Sequence, residues 1–535
     1  MLKELSSLCK RRGIVWPSSE IYGGLRGLYD FGPIGTELKR NIRSAWWSSV
    51  VTKHTQYAPP SDAPGAYSVY GVETSVIMNP QVWRVSGHAD QFSDLMVDCR
   101  ETKQRYRCDH IFGRWYDAGG ERAFVTVAGD TSDPGSAVSE RANKALPKIF
   151  GKNVKIKLAA DKQPLTPLTE VDKYEEVLGP DASMLGTLTP PRQFNLMIRS
   201  QIGAVESEVQ EVFLRPETAQ GMFVNFRNAV DTVRARCPFG LAQVGRSFRN
   251  EVTPRHFLFR IREFEQMEME FFVHPSESHS WYEFWKKHRY KWYIDHGMSS
   301  DRLRMREHEK GELSHYAKAT CDVEYAFPFL AEGEYGELEG IAHRGEFDLL
   351  SHMKGKLTSN MGSLEVALNE SGEPQWKGSG KNLTYRDPHT GEVFIPHVIE
   401  PAAGVERIVL AILCEAFDMD QVEGQPRIVL RLHPRLAPIK CGVFPLTKDP
   451  SLTSCAKDVF SLINGKHEAM FDQTDSIGKR YRRMDEIGTP FCVTIDQETL
   501  DSGAVTLRHR DSMRQDRMAP DEVLALMDEE IAPHA

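Results

Sequence analysis

An α+β domain built on an antiparallel sheet, with inserted regions and a smaller α/β domain after it, is the fold the sequence predicts. Three observations predict it. Two strand-type runs, residues 241–248 and 261–272, flank a basic turn at 252–260, the order of an antiparallel pair. Polar, turn-rich stretches interrupt the first four hundred residues. From Ile428 onward the pattern changes to short apolar strands (IVLRL, CGVFPL, FCVTI, AVTLR) separated by helices, a unit of common domain size. The expected division is 1–426 and 427–535, with insertions at about 88–200 and about 275–395.

In chain order, a short helical segment precedes the turn-rich Tyr22-Gly23-Gly24-Leu25-Arg26-Gly27. A helix follows from Thr36 to about Val50, since Leu38, Ile42, Ala45, Trp46 and Val50 recur at helical spacing. Trp46 and Trp47 are adjacent, so either the helix packs on both sides or one side meets a second subunit. Residues 88–200 are polar, with Gly-Asp/Ser-Pro clusters around 128–136 and a lysine-rich piece at 144–162; they read as an insertion of mobile loops. Residues 275–395 alternate an aromatic helix (Trp281, Phe284, Trp285, Tyr290, Trp292, Tyr293) with acidic, glycine-rich turns. That aromatic stripe reads as core rather than as a base-stacking platform.

At 535 residues the chain exceeds one ordinary core. Its 40% hydrophobic and 26% charged content is that of a soluble globular protein. No apolar run is long enough for a bilayer, so no membrane partner is expected. The start, MLKELSSLCKRRG, lacks the apolar core of a secretory signal. Nine cysteines without framework spacing suit reduced thiols and a cytoplasmic location. Cys99, Cys108 and His110 match no ordinary zinc spacing, and no zinc is expected. A net charge of −9 argues against nonspecific nucleic-acid binding, but binding depends on charges placed near phosphates and a local basic face would serve.

The hairpin carries most of the chemistry. Residues two apart on a strand share a face, so Arg249 and Glu251 point together, and Phe264, Gln266 and Glu268 form one row. An arginine on a rigid strand presents planar donors that match a phosphate, and a nearby glutamate can accept from an adenine amino group. Alone, Phe248-Arg249-Asn250-Glu251 reads as a cross-strand ion pair on a solvated sheet. The adjoining Phe259-Arg260-Ile261-Arg262-Glu263-Phe264-Glu265-Gln266-Met267-Glu268 shifts the weight toward a nucleotide. Its aromatic rings suit one wall of a purine slot with an arginine opposite. Carboxylates packed so tightly need cations, water or an ammonium group. Far away, Glu400-Pro401-Ala402-Ala403-Gly404-Val405-Glu406-Arg407 leads Arg407 into an apolar helix.

These stretches, with Arg215-Pro216-Glu217-Thr218-Ala219-Gln220-Gly221 and the opening Ser19-Glu20-Ile21-Tyr22-Gly23-Gly24, resemble the single-chain, homodimeric glycyl-tRNA synthetases, a class II aminoacyl-tRNA synthetase family, over nearly the whole chain. The resemblance implies a class II catalytic domain followed by an anticodon-binding domain. It implies that glycine is activated by ATP with Mg²⁺ to glycyl-adenylate and pyrophosphate, then transferred to the 3′ end of tRNA(Gly). Carried over by position, it implies catalytic roles for Arg249 and Arg407. ATP contacts fall on Arg249, Asn250, Glu251, Phe259, Arg260, Ile261, Arg262, Glu263, Phe264, Glu337, Leu338, Gly404, Val405, Glu406 and Arg407. Phe264 and Arg407 would sandwich the purine, and Glu337 would hold Mg²⁺. Glycine contacts fall on Arg107, Glu217, Phe264, Glu265, Gln266, Met267, Glu268, Glu400, Pro401, Ala402, Ala403 and Gly404. Many family members carry serine where this chain has Ala402. Lys479 to Arg483, and Arg508, Arg510, Arg514 and Arg517, are basic patches suited to an RNA loop or to a solvated helix face. Two other readings are a synthetase-like binding protein that has lost the chemistry and a synthetase for another small amino acid.

Overall fold

The computed structural model describes residues 1–53, 55, 57–128, 133–160, 163–203, 210–309, 311–314, 316–360, 363–422 and 424–532. Parts of the turn-rich cluster (129–132) and of the lysine-rich piece (161–162) lie outside the described residues. The chain divides into two compact units, Met1–Ser86 with Ile198–Ala535, and Gly87–Met197.

The larger unit is organised by a seven-stranded sheet. Its strands are β1 (Ser68–Gly71), β2 (Phe239–Phe248), β3 (Glu263–Val273), β4 (Leu303–Glu307), β5 (Ala319–Tyr325), β6 (Gly336–Gly345) and β7 (His397–Gly404). They lie in the order β4-β5-β6-β7-β3-β2-β1. Every neighbour is antiparallel except β1 on β2. Helices α1 (Pro33–Trp47), α2 (Ser278–Ile294), α3 (Phe347–Lys354) and α4 (Val405–Ala416) belong to this unit. Trp46, Met267, Met269, Phe271, Trp281, Trp285, Val323, Tyr325 and Val409 join one core on one side of the sheet. Burying such large apolar side chains contributes on the order of 2 kcal/mol each. Trp46 is wholly inside and Trp47 half-buried. A Cβ at Gly71 would lie 2.5 Å from the Trp47 ring, so both tryptophans pack within the chain.

The expectation of an insertion at 275–395 fails. That segment supplies α2 and three strands of the sheet, β4 to β6. The charged composition misled because one face of these strands is polar. On β5 the buried Cys321, Val323 and Tyr325 alternate with Asp322 and Glu324, the period of a strand with two different faces. The aromatic stripe of α2 is core, as read from the sequence.

Residues of about 88–200 were expected as an insertion of mobile loops; residues 87–197 form a folded unit of their own. A helix, Pro134–Phe150, starts at Asp133, whose carboxylate accepts from the Ser136 N–H at 3.1 Å. A five-stranded and a three-stranded sheet accompany it, and Val97, Phe124, Val125, Leu146, Val177 and Leu188 make its own core. The strands are short and the joining turns dense, which hid the alternation.

The C-terminal domain contains strands β8 (Cys441–Pro445), β9 (Ala469–Phe471), β10 (Phe491–Ile495), β11 (Val505–His509) and β12 (Gln515–Met518), ordered β9-β8-β10-β11-β12. The IVLRL run does not belong to this sheet. Its first three residues end strand Gln425–Leu430, which pairs back on Phe417–Val422, so a boundary at 427 would cut a hairpin. From this hairpin Arg427, 1% exposed, reaches Asp420, Asp485 and the Arg510 carbonyl. Arg12 pairs with Glu486, Arg40 with Glu468, and Asn41 donates to the Ala437 carbonyl at 2.9 Å. The C-terminal domain is therefore clamped by buried and surface polar bonds.

Candidate active site

The polar face of the sheet, opposite the core, opens into a cavity of about 280 Å³. On β3 the alternation sends Phe264, Gln266 and Glu268 into it, while Met267, Met269 and Phe271 enter the core. Across the sheet, Gln243 of β2, Glu268 of β3, Ala402 of β7, Gly340 of β6 and Asp322 of β5 stand in register. The small residues Ala402, Gly340 and Gly404 leave the floor open between charged walls.

At one end, Arg249 and Arg407 line the cavity beside aromatic rings. Arg249 lies 5.3 Å from the centre of Phe264 and its Nε donates to the Pro216 carbonyl at 3.2 Å. Arg407 lies 4.7 Å from the Phe259 ring. Its Nη1 donates to the Glu337 carbonyl at 2.9 Å and to Glu337 Oε2 at 3.2 Å. The loop that delivers Phe259 passes through His256 and Phe257 with φ of 57° and 56°, a left-handed conformation uncommon for residues with a Cβ. Arg260 stands 3.6 Å from Glu251, and Glu251, Ile261 and Leu338 complete this end. Asp322 is held by His308 at 2.7 Å. Burial, then the charge of Glu337, raises Asp322 to about 6. A Cβ on Gly340 would sit 3.6 Å from Asp322 Oδ1 and 3.7 Å from Glu337 Oε1, so both carboxylates border one spot, a hard oxygen donor set that fits Mg²⁺.

The other end is a carboxyl cluster. Glu217, Glu268 and Glu400 line it, each at most 8% exposed. Glu268 Oε2 accepts from the Thr218 N–H at 2.9 Å and from its hydroxyl. Gln220 donates to Glu217 at 3.1 Å. Arg344 donates through Nη1 to both oxygens of Glu400 at 2.9 Å and grips Asp348 at 2.7 and 2.8 Å. Tyr316 covers this guanidinium, 3.8 Å from ring centre to Arg344. Burial pushes Glu400 up to about 8; Arg344 pulls against the rise, and Glu268 and Glu217 add to it. Glu268 is raised by burial and by Glu217. A cluster of carboxyl groups at one end of so small a cavity suits a small cation.

Several residues named from the sequence stand elsewhere. Glu265 and Met267 point away from the cavity, because adjacent strand residues face opposite sides. Glu265 meets Lys39 at 3.3 Å and Arg43 at 3.2 Å. Glu406 does line the cavity, pairs with Lys39 and accepts from the Glu265 N–H at 2.8 Å. Arg262 donates to the carbonyls of Glu251 and Arg26 at 3.0 and 2.9 Å, tying the hairpin to the glycine-rich turn. Glu263 pairs with Arg246. Asn250, Arg262, Glu263, Pro401 and Val405 are not among the residues lining the cavity, whereas Ala403 and Gly404 are. Arg107 belongs to the other compact unit, where Asp94 and Asp109 hold it at 3.3 and 2.6 Å. The structure adds Arg344, Asp348, Thr218, Tyr316, His308 and Asp322, which the sequence reading did not single out. Only the spacing of Arg344 and Asp348, four residues apart, carried a signal for any of them.

The sequence profile of the tRNA synthetase class II core domain (G, H, P, S and T) matches residues 204–369, and that of an anticodon-binding domain matches 440–530. The chain is 50% identical over 526 residues to the glycine–tRNA ligase of Rhodopirellula baltica, covering 97% of this chain and 98% of that one. It is 40% identical over 530 residues to the enzyme of that name from Caldanaerobacter subterraneus subsp. tengcongensis, with 99% and 98% coverage. It is 41% identical over 531 residues to that of Lysinibacillus sphaericus, again with 99% and 98% coverage.

Proposed function

The chain belongs to the glycine–tRNA ligase family, and from that premise we propose how its site activates glycine with ATP and passes it to tRNA(Gly). One observation carries the reading: a single row on β3, Phe264-Gln266-Glu268, joins the arginine-and-aromatic end of the cavity to its carboxyl end. A nucleotide lies at the first end and an amino acid at the second. The anionic end binds the glycine ammonium through Glu217, Glu268 and Glu400. Every competing amino acid is larger than glycine, so steric exclusion by a small cavity suffices, which is the easy direction of selection.

In the first step the glycine carboxylate attacks the ATP α-phosphorus in line and pyrophosphate leaves. In the second the terminal ribose hydroxyl of tRNA attacks the adenylate carbonyl and AMP leaves. Neither step requires a protein nucleophile; alignment and charge stabilisation account for the chemistry. Arg249 meets the α-phosphate, and Arg407, released from Glu337, meets a terminal phosphate. Phe264 and Phe259 supply aromatic faces for the purine and Glu251 an acceptor for its amino group. Glu337, with Asp322, would hold Mg²⁺, which neutralises phosphate charge when bound.

The C-terminal domain reads the tRNA loop, where splayed bases meet donors and aromatic faces. Most of its arginines serve the fold. Arg480, Arg508 and Arg510 are buried and bonded internally, Arg483 pairs with Asp472 and Asp475, and Arg517 with Asp496 and Glu498. Exposed Lys479 and half-buried Arg482, which donates to the Pro426 carbonyl at 3.0 Å, are the better RNA contacts. The family resemblance also supports a homodimer through the segment after α1 and the stretch between β1 and Pro80, testable by sedimentation. Free cysteines suit a cytoplasmic enzyme. No helix among the described residues is long and apolar enough to cross a membrane.

ATP–pyrophosphate exchange across a panel of amino acids tests the reading. Exchange dependent on glycine alone is expected. Exchange with serine, proline or threonine instead would reassign the substrate, and none with any amino acid would leave a binding protein.

A further inference from the structure

Glu270 sits two residues beyond Glu268 on the same face of β3, wholly buried, with Leu241 of β2 as its cross-strand partner. Among the described residues, neither of its carboxyl oxygens accepts a hydrogen bond. The register of β3 on β7, with Glu268 opposite Ala402 and Phe271 opposite Ile399, sets Glu270 beside Glu400. One oxygen each of Glu268, Glu270 and Glu400 lie within 4.8 Å of one another.

The charges facing this spot come from several elements. Glu268 stands on β3, Glu400 on β7, Arg344 on β6 and Asp348 on α3. Glu217 and Arg215 precede the helix Ala219–Val224 and act on Glu268. Arg344 is committed to Glu400 and Asp348. Arg215 donates to the carbonyls of Arg246 and Thr74 at 2.7 and 2.8 Å. Five carboxyl groups thus face two guanidiniums already engaged. A buried carboxylate with no donor is the least tolerable state of such a group. A carboxylic acid with an ionised neighbour is a stable one, because it can donate. Burial drives Glu270 well above the ordinary carboxyl range; Glu400 adds to the rise, Arg344 opposes it, and Glu268 and Asp348 add further.

We propose that Glu270 is a neutral carboxylic acid whose O–H donates to Glu400 as Glu400 gives up its own proton to the arriving glycine ammonium, holding Glu400 turned into the cavity. Glu270 is then a positioning residue for amino-acid recognition, acting through Glu400. The inference rests on the reading that glycine occupies the carboxyl end.

The full-length enzyme tests it through glycine KM, ATP KM and kcat in pyrophosphate exchange. Glu270→Leu removes the donor and should raise glycine KM at least about tenfold, the loss of roughly one charge-assisted hydrogen bond, with ATP KM unchanged. Glu270→Gln restores a donor without a charge and should recover most of that loss. With glycine saturating, so that its ammonium ionises Glu400, the infrared carbonyl stretch of a protonated carboxyl should be present in the wild type at neutral pH and weaker in Glu270→Gln. A glycine KM in Glu270→Gln as poor as in Glu270→Leu would overturn the proposal, since it would mean that charge and not donation matters. So would an unchanged KM in Glu270→Leu, or a wild type without the infrared band. If Glu270→Leu does not fold, the glutamine variant and the infrared band decide. Wild-type exchange that ignores glycine would instead sink the site reading, while the infrared difference between the wild type and Glu270→Gln would still report the proton on Glu270.

Discussion

Arg249 reaches the Phe264 ring at 5.3 Å while its Nε holds the Pro216 carbonyl, so one side chain joins the loop after β2 to the loop before the helix Ala219–Val224. Arg249 also lines the cavity where the α-phosphate is proposed to lie. Arg249→Ala should lower glycine-dependent pyrophosphate exchange by at least about a hundredfold, as expected when a donor to developing charge is lost. Its thermal midpoint should stay close to the wild type. Unimpaired exchange would remove Arg249 from the reaction.

Arg344 is 1% exposed and binds two carboxylates. Breaking such a buried pair from one side leaves uncompensated charge, a cost of about 3–5 kcal/mol. Arg344→Met should lose stability of that order in urea unfolding. Arg227→Met, whose pair with Asp231 is exposed, should be within about 1 kcal/mol of wild type.

Ala402 faces Glu268 and Gly340 across the floor. Ala402→Ser adds a hydroxyl at the end of the cavity proposed to hold glycine. One net hydrogen bond of about 1 kcal/mol should lower glycine KM by about fivefold, with ATP KM unaltered. An increase in glycine KM would show that the open floor, not a missing hydroxyl, is what this chain uses.

Glu400 is lifted by burial from 4.5 to about 8. Below 4.5 the folded and unfolded forms are both protonated. Between 4.5 and about 8 only the folded form holds the proton, so that contribution to stability is full at the acid end and lost as pH rises through about 8. Glycine brings a positive charge that takes the place of a proton. Glycine KM should therefore fall as pH climbs toward about 8, and binding should release protons. Calorimetry in two buffers of different ionisation enthalpy would read that release directly; identical heats would refute it.

The row Phe264-Gln266-Glu268 was legible in the sequence because a strand's period of two is strict. The hairpin, the aromatic core helix and the late α/β domain were legible for similar reasons of periodicity. Strands β4 to β6 were not, because their site face is charged and broke the alternation expected of a buried strand. Arg344 was hidden for a different cause. Its importance lies in Glu400, more than fifty residues away in sequence and adjacent only through the β6–β7 pairing. The basic patches misled in the opposite direction, since Arg480, Arg508 and Arg510 look like an RNA surface in sequence and are buried in the fold.

Lys479→Glu and Arg482→Glu should raise the KM for tRNA several-fold while sparing pyrophosphate exchange. Arg483→Glu should reduce stability instead, because it would set three acidic groups together with Asp472 and Asp475. Equal loss of exchange and of aminoacylation in the first two variants would contradict a division of labour between the domains.

Arg427 passes from a hairpin of the catalytic side into Asp485 and the Arg510 carbonyl, and the surface pairs of Arg12 and Arg40 add two further ties. Parting the C-terminal domain from the catalytic sheet would break these bonds together and strand the buried Arg427 charge, so the two are expected to unfold as one cooperative unit.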